Sequence, residues 1–331
     1  MPLHDVRYQH WQGTSTGIWR RRWAIAKNGL TACLQYKILR ATVVSCWMMG
    51  LGLAGAIFLI SQLLVPDSIV VRWVEQLNPG LQDFAQLLTR WLKEHPDISV
   101  RATQNVIFYY ATIVLTGFGI FTLVMAMPFL ITRDLASSAI IIYSSKAVSR
   151  TDYLIGKFMT AFGLLGMTTL GPIVGAWVIG NLLAPDWLFF WHSRGAIGNA
   201  LLYNLVTMTV LSLLALGVSA VSNKERTTPF LWMMWWVLGF FLQPIAANTR
   251  PWLRHLSFSY DLHQIGLATF RLGNEIRLAQ DNIPILGEMM RNIPQKTMDD
   301  LAAPHLLGAI LWLAAMLAGA AFILRRKVRP E

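Results

Sequence analysis

Six stretches of this chain carry no Asp, Glu, Lys or Arg: residues 41–64, 106–131, 158–183, 196–222, 229–247 and 305–324. The last touches a single titratable side chain, His305 at its edge. A helix needs roughly 20 apolar residues to cross the hydrocarbon core of a bilayer. In lipid every backbone N–H and C=O has to be paired, and a helix does this within one segment. The expected fold class is therefore all-α, a polytopic membrane protein with six transmembrane helices. With 55% hydrophobic and 14% charged residues, little chain remains for a soluble domain. The expected organisation is an amphipathic segment over 1–40 followed by a six-helix domain over 41–331.

Six crossings put both termini on one side, and Lys and Arg should be richer on the cytoplasmic side. Segments on the side of the termini hold 17 of the 28 basic residues and 5 of the 17 acidic ones, although they are the shorter set. Arg20, Arg21 and Arg22, Lys224 and Arg226, and Arg325, Arg326, Lys327 and Arg329 all sit at the ends of spans. Both termini are therefore expected to be cytoplasmic. Charge placed in this way answers to topology and anionic membrane lipid, so no nucleic-acid partner is expected. The first 40 residues lack the short apolar core of a cleaved signal peptide, so the first span is expected to persist. Two cysteines, Cys33 and Cys46, are too few for a disulfide framework and read as free thiols.

The segment from Trp19 to Arg40 reads as one helix leading into the first span. Trp19, Trp23, Ala26, Leu30, Cys33 and Leu34 share one arc, with Arg20, Lys27, Asn28, Thr31 and Gln35 largely opposite. Such a helix can lie in the headgroup plane as an anchor. Trp19, Arg20, Trp23 and Lys27 can also present a face to a cytoplasmic partner.

The loop 132–157 is the most informative polar region. Arg133-Asp134 ends the second span, and Ser149-Arg150-Thr151-Asp152 matches a capping box, with Asp in place of the usual Glu. The third helix should then start near Arg150, ahead of the membrane, which it enters beyond Lys157. Asp134, Tyr143-Ser144-Ser145, Val148-Ser149-Arg150, Tyr153-Leu154 and Gly156-Lys157 follow in an order that resembles the membrane subunits of the second class of ABC exporters, the ABC-2 type permeases. Ala147 stands where that family usually has proline, which leaves the turn less rigid. The resemblance implies two permease subunits, identical or not, in a bacterial cytoplasmic membrane, docked on two separate ATPase subunits. It marks Asp134, Tyr143, Arg150, Tyr153, Gly156 and Lys157 as the coupling region, none of them catalytic.

On the opposite side, 68–95 carries Phe84, Leu87, Leu88 and Trp91 at helical spacing, broken by Asn78-Pro79-Gly80. Within 248–304 the reading gives one helix, Asp261 to Gln280, as a cap or interfacial element. The seven histidines show no metal-ligand spacing, and neither a metal nor a cofactor is expected. Asn199 and Asn204 are candidates for bonds between helices, and Gly171 with Gly175 for close packing inside the subunit. Pro172 beside them should kink the third span.

Ionisable groups inside spans usually mark ion pathways, and these spans have none, which argues against ion coupling or membrane hydrolysis. No G-x-x-x-x-G-K-[ST] motif occurs either, so the chain is expected not to be an enzyme and its ATPase to be another chain. Two other classes stay open: a membrane scaffold or assembly factor without a transport cycle, and an ion-independent facilitator.

Overall fold

Each uncharged run falls almost wholly in one helix, and that helix continues beyond the run at one end or both, because backbone pairing propagates into the flanking polar residues. The computed structural model describes residues 17–65, 68, 70, 73, 76, 79–138, 149–248, 250–282, 301 and 303–328. Among them there is no strand. Six helices are long and apolar enough to span a bilayer: α2 (Lys37–Leu63), α4 (Pro96–Ala136), α5 (Arg150–Leu182), α6 (Leu188–Ser219), α7 (Thr227–Ala246, with its last turn reaching Asn248) and α10 (Leu306–Lys327). The protein is thus an all-α, multi-pass membrane protein. The remaining helices are α1 (Ile18–Leu34), α3 (Pro79–Glu94), α8 (Phe258–Phe270) and α9 (Leu272–Asn282).

The core forms where α4 and α6 lie along each other, and these are the two most buried spans. α2 packs on the second half of α5, with Trp47 seated over Gly171 and Gly175, where a Cβ would come within 3.1 and 3.0 Å of the ring. The small-residue pair therefore serves packing inside the subunit. Pro172 follows a widened turn, Gly166–Leu170. Its ring would meet the carbonyl four residues back, and the extra residue in the turn makes room. A second such turn, Pro128–Thr132, begins at a proline near the end of α4. The Asn expectation holds as well: Asn199 bonds Asn105 (3.1 Å) and Asn204 bonds Thr112 (3.4 Å), from α6 to α4.

Both described chain ends lie at one end of the bundle, the basic end. Arg22 of α1 meets Asp152 at the start of α5, and Arg150 meets the carbonyl of Leu324 near the end of α10. Two expectations change here. The lead-in helix is interrupted at Gln35–Tyr36, so α1 and α2 are separate. The buried stripe of α1 is also rotated from the expected arc. Arg22, Ile25, Ala26, Gly29 and Cys33 face α5 and its neighbours, whereas Trp19 and Trp23 are 70% and 56% exposed. Gly29 and Gly156 set this rotation: a Cβ on Gly29 would fall 2.5 Å from Thr160 Oγ1, and one on Gly156 2.7 Å from Ile25 Cβ. Backbones this close leave the Trp rings no room at the contact. Both cysteines are free, and burial pushes the Cys33 thiol up to about 11.

At the far end the segment after α7 is not a cap. Residues Pro251–Leu256 run back along α7 as a 3-10 turn, and Ser257 lands against Gly239. Phe258 then stacks on Trp232, five residues from the basic end of α7 (5.2 Å between centroids). From there α8 climbs outward between α4, α6, α7 and α10 until Gly266 and Phe270 meet Tyr109 and Tyr203. The single helix expected over Asp261 to Gln280 is two helices, broken at Arg271 with φ of 50°. α8 is re-entrant because its apolar residues Phe258, Leu262, Leu267 and Phe270 are fully buried among the spans.

Candidate functional site at the basic end

The start of α5 organises this site. Ser149 caps the helix, accepting the Asp152 N–H at 3.1 Å, as the capping box requires. The Asp152 carboxylate reaches back as expected toward the Ser149 backbone N–H, and it also accepts the Ser149 hydroxyl (2.6 Å) and Arg22 Nε (2.6 Å).

One turn further along α5, Tyr153 and Lys157 point at the end of α4. Asp134 Oδ2 accepts the Tyr153 hydroxyl at 2.6 Å and pairs with Lys157 Nζ at 2.8 Å. Lys157 also donates to the Phe129 carbonyl at 2.9 Å, a group exposed by the widened turn. The Asp134 and Lys157 side chains are only 16% and 10% exposed, so the pair is a brace rather than a solvated contact. Beside it Arg133 makes two bonds to Glu225 (3.0 and 3.2 Å) in the turn between α6 and α7. Thr132 ties the same turn through the Ser219 carbonyl (2.8 Å) and Thr228 (3.1 Å).

Of the expected coupling residues, Asp134, Tyr153 and Lys157 form one bonded cluster. Arg150 joins α5 to α10, and Gly156 is the contact point for α1. Tyr143 lies outside the described residues. Arg20 and Lys27 are exposed with Trp19 and Trp23 on one open surface of α1. The residues that sequence reasoning missed are the partners: Arg22, Arg133, Thr132 and Glu225. For the three charged ones the only signal was charge at span ends, which reads equally well as topology, and Thr132 carried none.

The far end holds a second polar set, unexpected from spans that contain no charge. α8 and α9 bring Asp261 and Glu275 into the bundle, 0% and 4% exposed. Asp261 bonds His255 Nδ1, His263 Nδ1 meets the Tyr109 hydroxyl (2.8 Å), and Glu275 accepts Asn105 Nδ2 (2.9 Å). The bundle therefore holds buried carboxylates that the six uncharged runs do not supply, and the expectation against ion coupling is weakened. No protein-family model matches the chain, and no curated protein matches it.

Proposed function

We propose that the chain is the permease subunit of an ATP-driven exporter of the ABC-2 type, half of a translocation path whose ATPase is a separate subunit on the cytoplasmic face. The observation that supports this is the bonded network at the basic end. Arg22–Asp152, Asp134–Tyr153–Lys157, Arg133–Glu225 and Arg150–Leu324 link α1, α4, α5, the α6–α7 turn and α10. A force applied to the open face of α1 would reach α4, α5, α10 and the α6–α7 turn through contacts that resist bending. Coupling further requires that the ATPase bind that face differently with and without ATP.

The test is purification of the tagged full chain from its own membrane in a mild detergent. The expected result is a stoichiometric P-loop ATPase partner, lost on Trp23→Ala/Lys27→Ala while the chain stays folded. A folded chain with no ATPase partner, in cells that keep the phenotype of the gene, would favour the scaffold reading.

A second reading has one observation behind it. Asp261 is buried among the spans and bonded to the half-buried His255, and such pairs serve proton relays. Export by vesicles that persists without ATP and stops with a protonophore would favour proton coupling instead.

A further inference from the structure

At the far end a cavity of about 550 Å³ lies between α4, α6, α8 and α9. Its polar wall is Arg101, Asn105, Asn199, Arg271, Asn274 and Glu275. Glu275 is the informative member. Its Oε1 accepts Asn105 Nδ2 at 2.9 Å and lies 3.7 Å from Arg101 Nε, but its Oε2 is buried without a hydrogen-bond partner. A buried carboxylate oxygen left in this state costs free energy unless a donor reaches it. Oε2 is closed to water as it stands, and a small turn of the carboxylate would bring it to a donor that enters from the cavity.

Two cations line the same cavity. Arg101 is 45% exposed on its side chain, and the Arg271 guanidinium makes no ion pair among the described residues. Arg271 also occupies the left-handed position that ends α8. Glycine is favoured there, so an arginine is held at some backbone cost. The cavity thus offers sites for a negative group beside an acceptor for a positive donor.

Depth identifies the source. Arg101 and Asn105 immediately precede the uncharged run 106–131, and Asn199 stands at the start of 196–222. These are the levels at which a span leaves hydrocarbon and meets lipid headgroups. Leu202, 58% exposed, forms part of the wall on the membrane side. We propose that this cavity binds the headgroup of an aminophospholipid, with the phosphate on Arg101 and Arg271 and the primary ammonium on Glu275 Oε2. The site stands whether or not the chain is a permease.

The experiment is native mass spectrometry of the purified full chain, in micelles doped with phosphatidylethanolamine, phosphatidylcholine or phosphatidylglycerol of matched acyl chains. Choline has no N–H to give, and glycerol offers hydroxyls without a charge. One charge-assisted hydrogen bond corresponds to about tenfold in retention, so phosphatidylethanolamine should exceed phosphatidylcholine by about that factor. Glu275→Gln should bring the two within about twofold, since the amide carries no charge for the ammonium. Arg271→Ala should lower retention of all three lipids, and it removes no ion pair seen in the protein, so folding is not at stake. Equal retention of phosphatidylethanolamine and phosphatidylcholine by the parent would overturn the proposal. So would unchanged lipid preference in a folded Glu275→Gln chain, unchanged retention in Arg271→Ala, or phosphatidylglycerol retained above phosphatidylethanolamine.

Discussion

The two polar regions of this bundle are built on opposite principles. At the basic end the buried charges where α4, α5 and α1 meet have partners within 3 Å: Asp134 with Lys157 and Tyr153, Asp152 with Arg22 and Ser149. In the outer half and along the α4–α6 seam, buried polar atoms lack partners, among them both side-chain atoms of Gln104, Asn204 Oδ1, Thr207 Oγ1, Asp261 Oδ2 and Glu275 Oε2. None of the unpartnered atoms belongs to the basic-end cluster. A satisfied network holds one arrangement, whereas an unsatisfied one is stable only if something else supplies the missing bonds or if function needs the groups free. The basic end is thus held rigid by its own bonds, and the far half keeps bonding capacity that the protein leaves unused.

The largest expected effect tests the brace. Asp134→Ala should cost about 3 kcal/mol, because it strands Lys157 in a site that water barely reaches. Asp134→Ala with Lys157→Met should recover most of the loss. Unfolding free energy from titration with SDS reads both, and a single variant indistinguishable from the parent would end the idea of a rigid basic end.

Next in size is the α1–α5 crossing. Gly156→Leu should cost about 2 kcal/mol through overpacking against Ile25 and the Arg22 carbonyl, and should release α1. Protease protection of α1 is the measurement, with protection unchanged counting against a docked α1.

The far half should respond with the opposite sign. Gln104 is 0% exposed and unpartnered on both atoms, so Gln104→Met should stabilise the fold by about 1.5 kcal/mol. A matching fall in transport or lipid retention would sharpen the comparison, since stability gained by removing unmet polar groups is often lost to function. Destabilisation would show that Gln104 has partners after all.

Arg150→Ala is the mildest change, at about 1 kcal/mol, since its bond to the Leu324 carbonyl is half-exposed. Its value lies elsewhere: with insertion and stability nearly intact, export that fails while an ATPase still binds would assign Arg150 to coupling. Export equal to the parent would leave it a simple tie between α5 and α10.

Much of the basic end was legible from the residues alone. Ser149-Arg150-Thr151-Asp152 announced a cap because capping depends on atoms three residues apart, and α5 starts where it said. The Asp134–Lys157 pair was named as a region but not as a contact. Its two members are separated by a loop whose path no spacing rule gives, and the bond forms only once α4 and α5 lie side by side. The rotation of α1 was misread for a related reason. An arc of large apolar residues predicts burial only when nothing smaller packs better, and here Gly29 and Gly156 admit a closer approach.

What the sequence determined by itself is the class: six crossings, all helical, with charge confined to their ends. Local hydrogen bonding and the transfer of apolar surface from water decide these, and both act within about 20 residues. Only the tertiary structure decided that α8 turns back into the bundle, that Asp261 and Glu275 are buried within a protein whose spans are uncharged, and that Arg101 and Arg271 share a cavity. Those facts depend on which surfaces meet. Glu275 and Asn105 are 170 residues apart, and their bond exists because α8 is apolar enough to be buried and carries α9 to the membrane boundary with it.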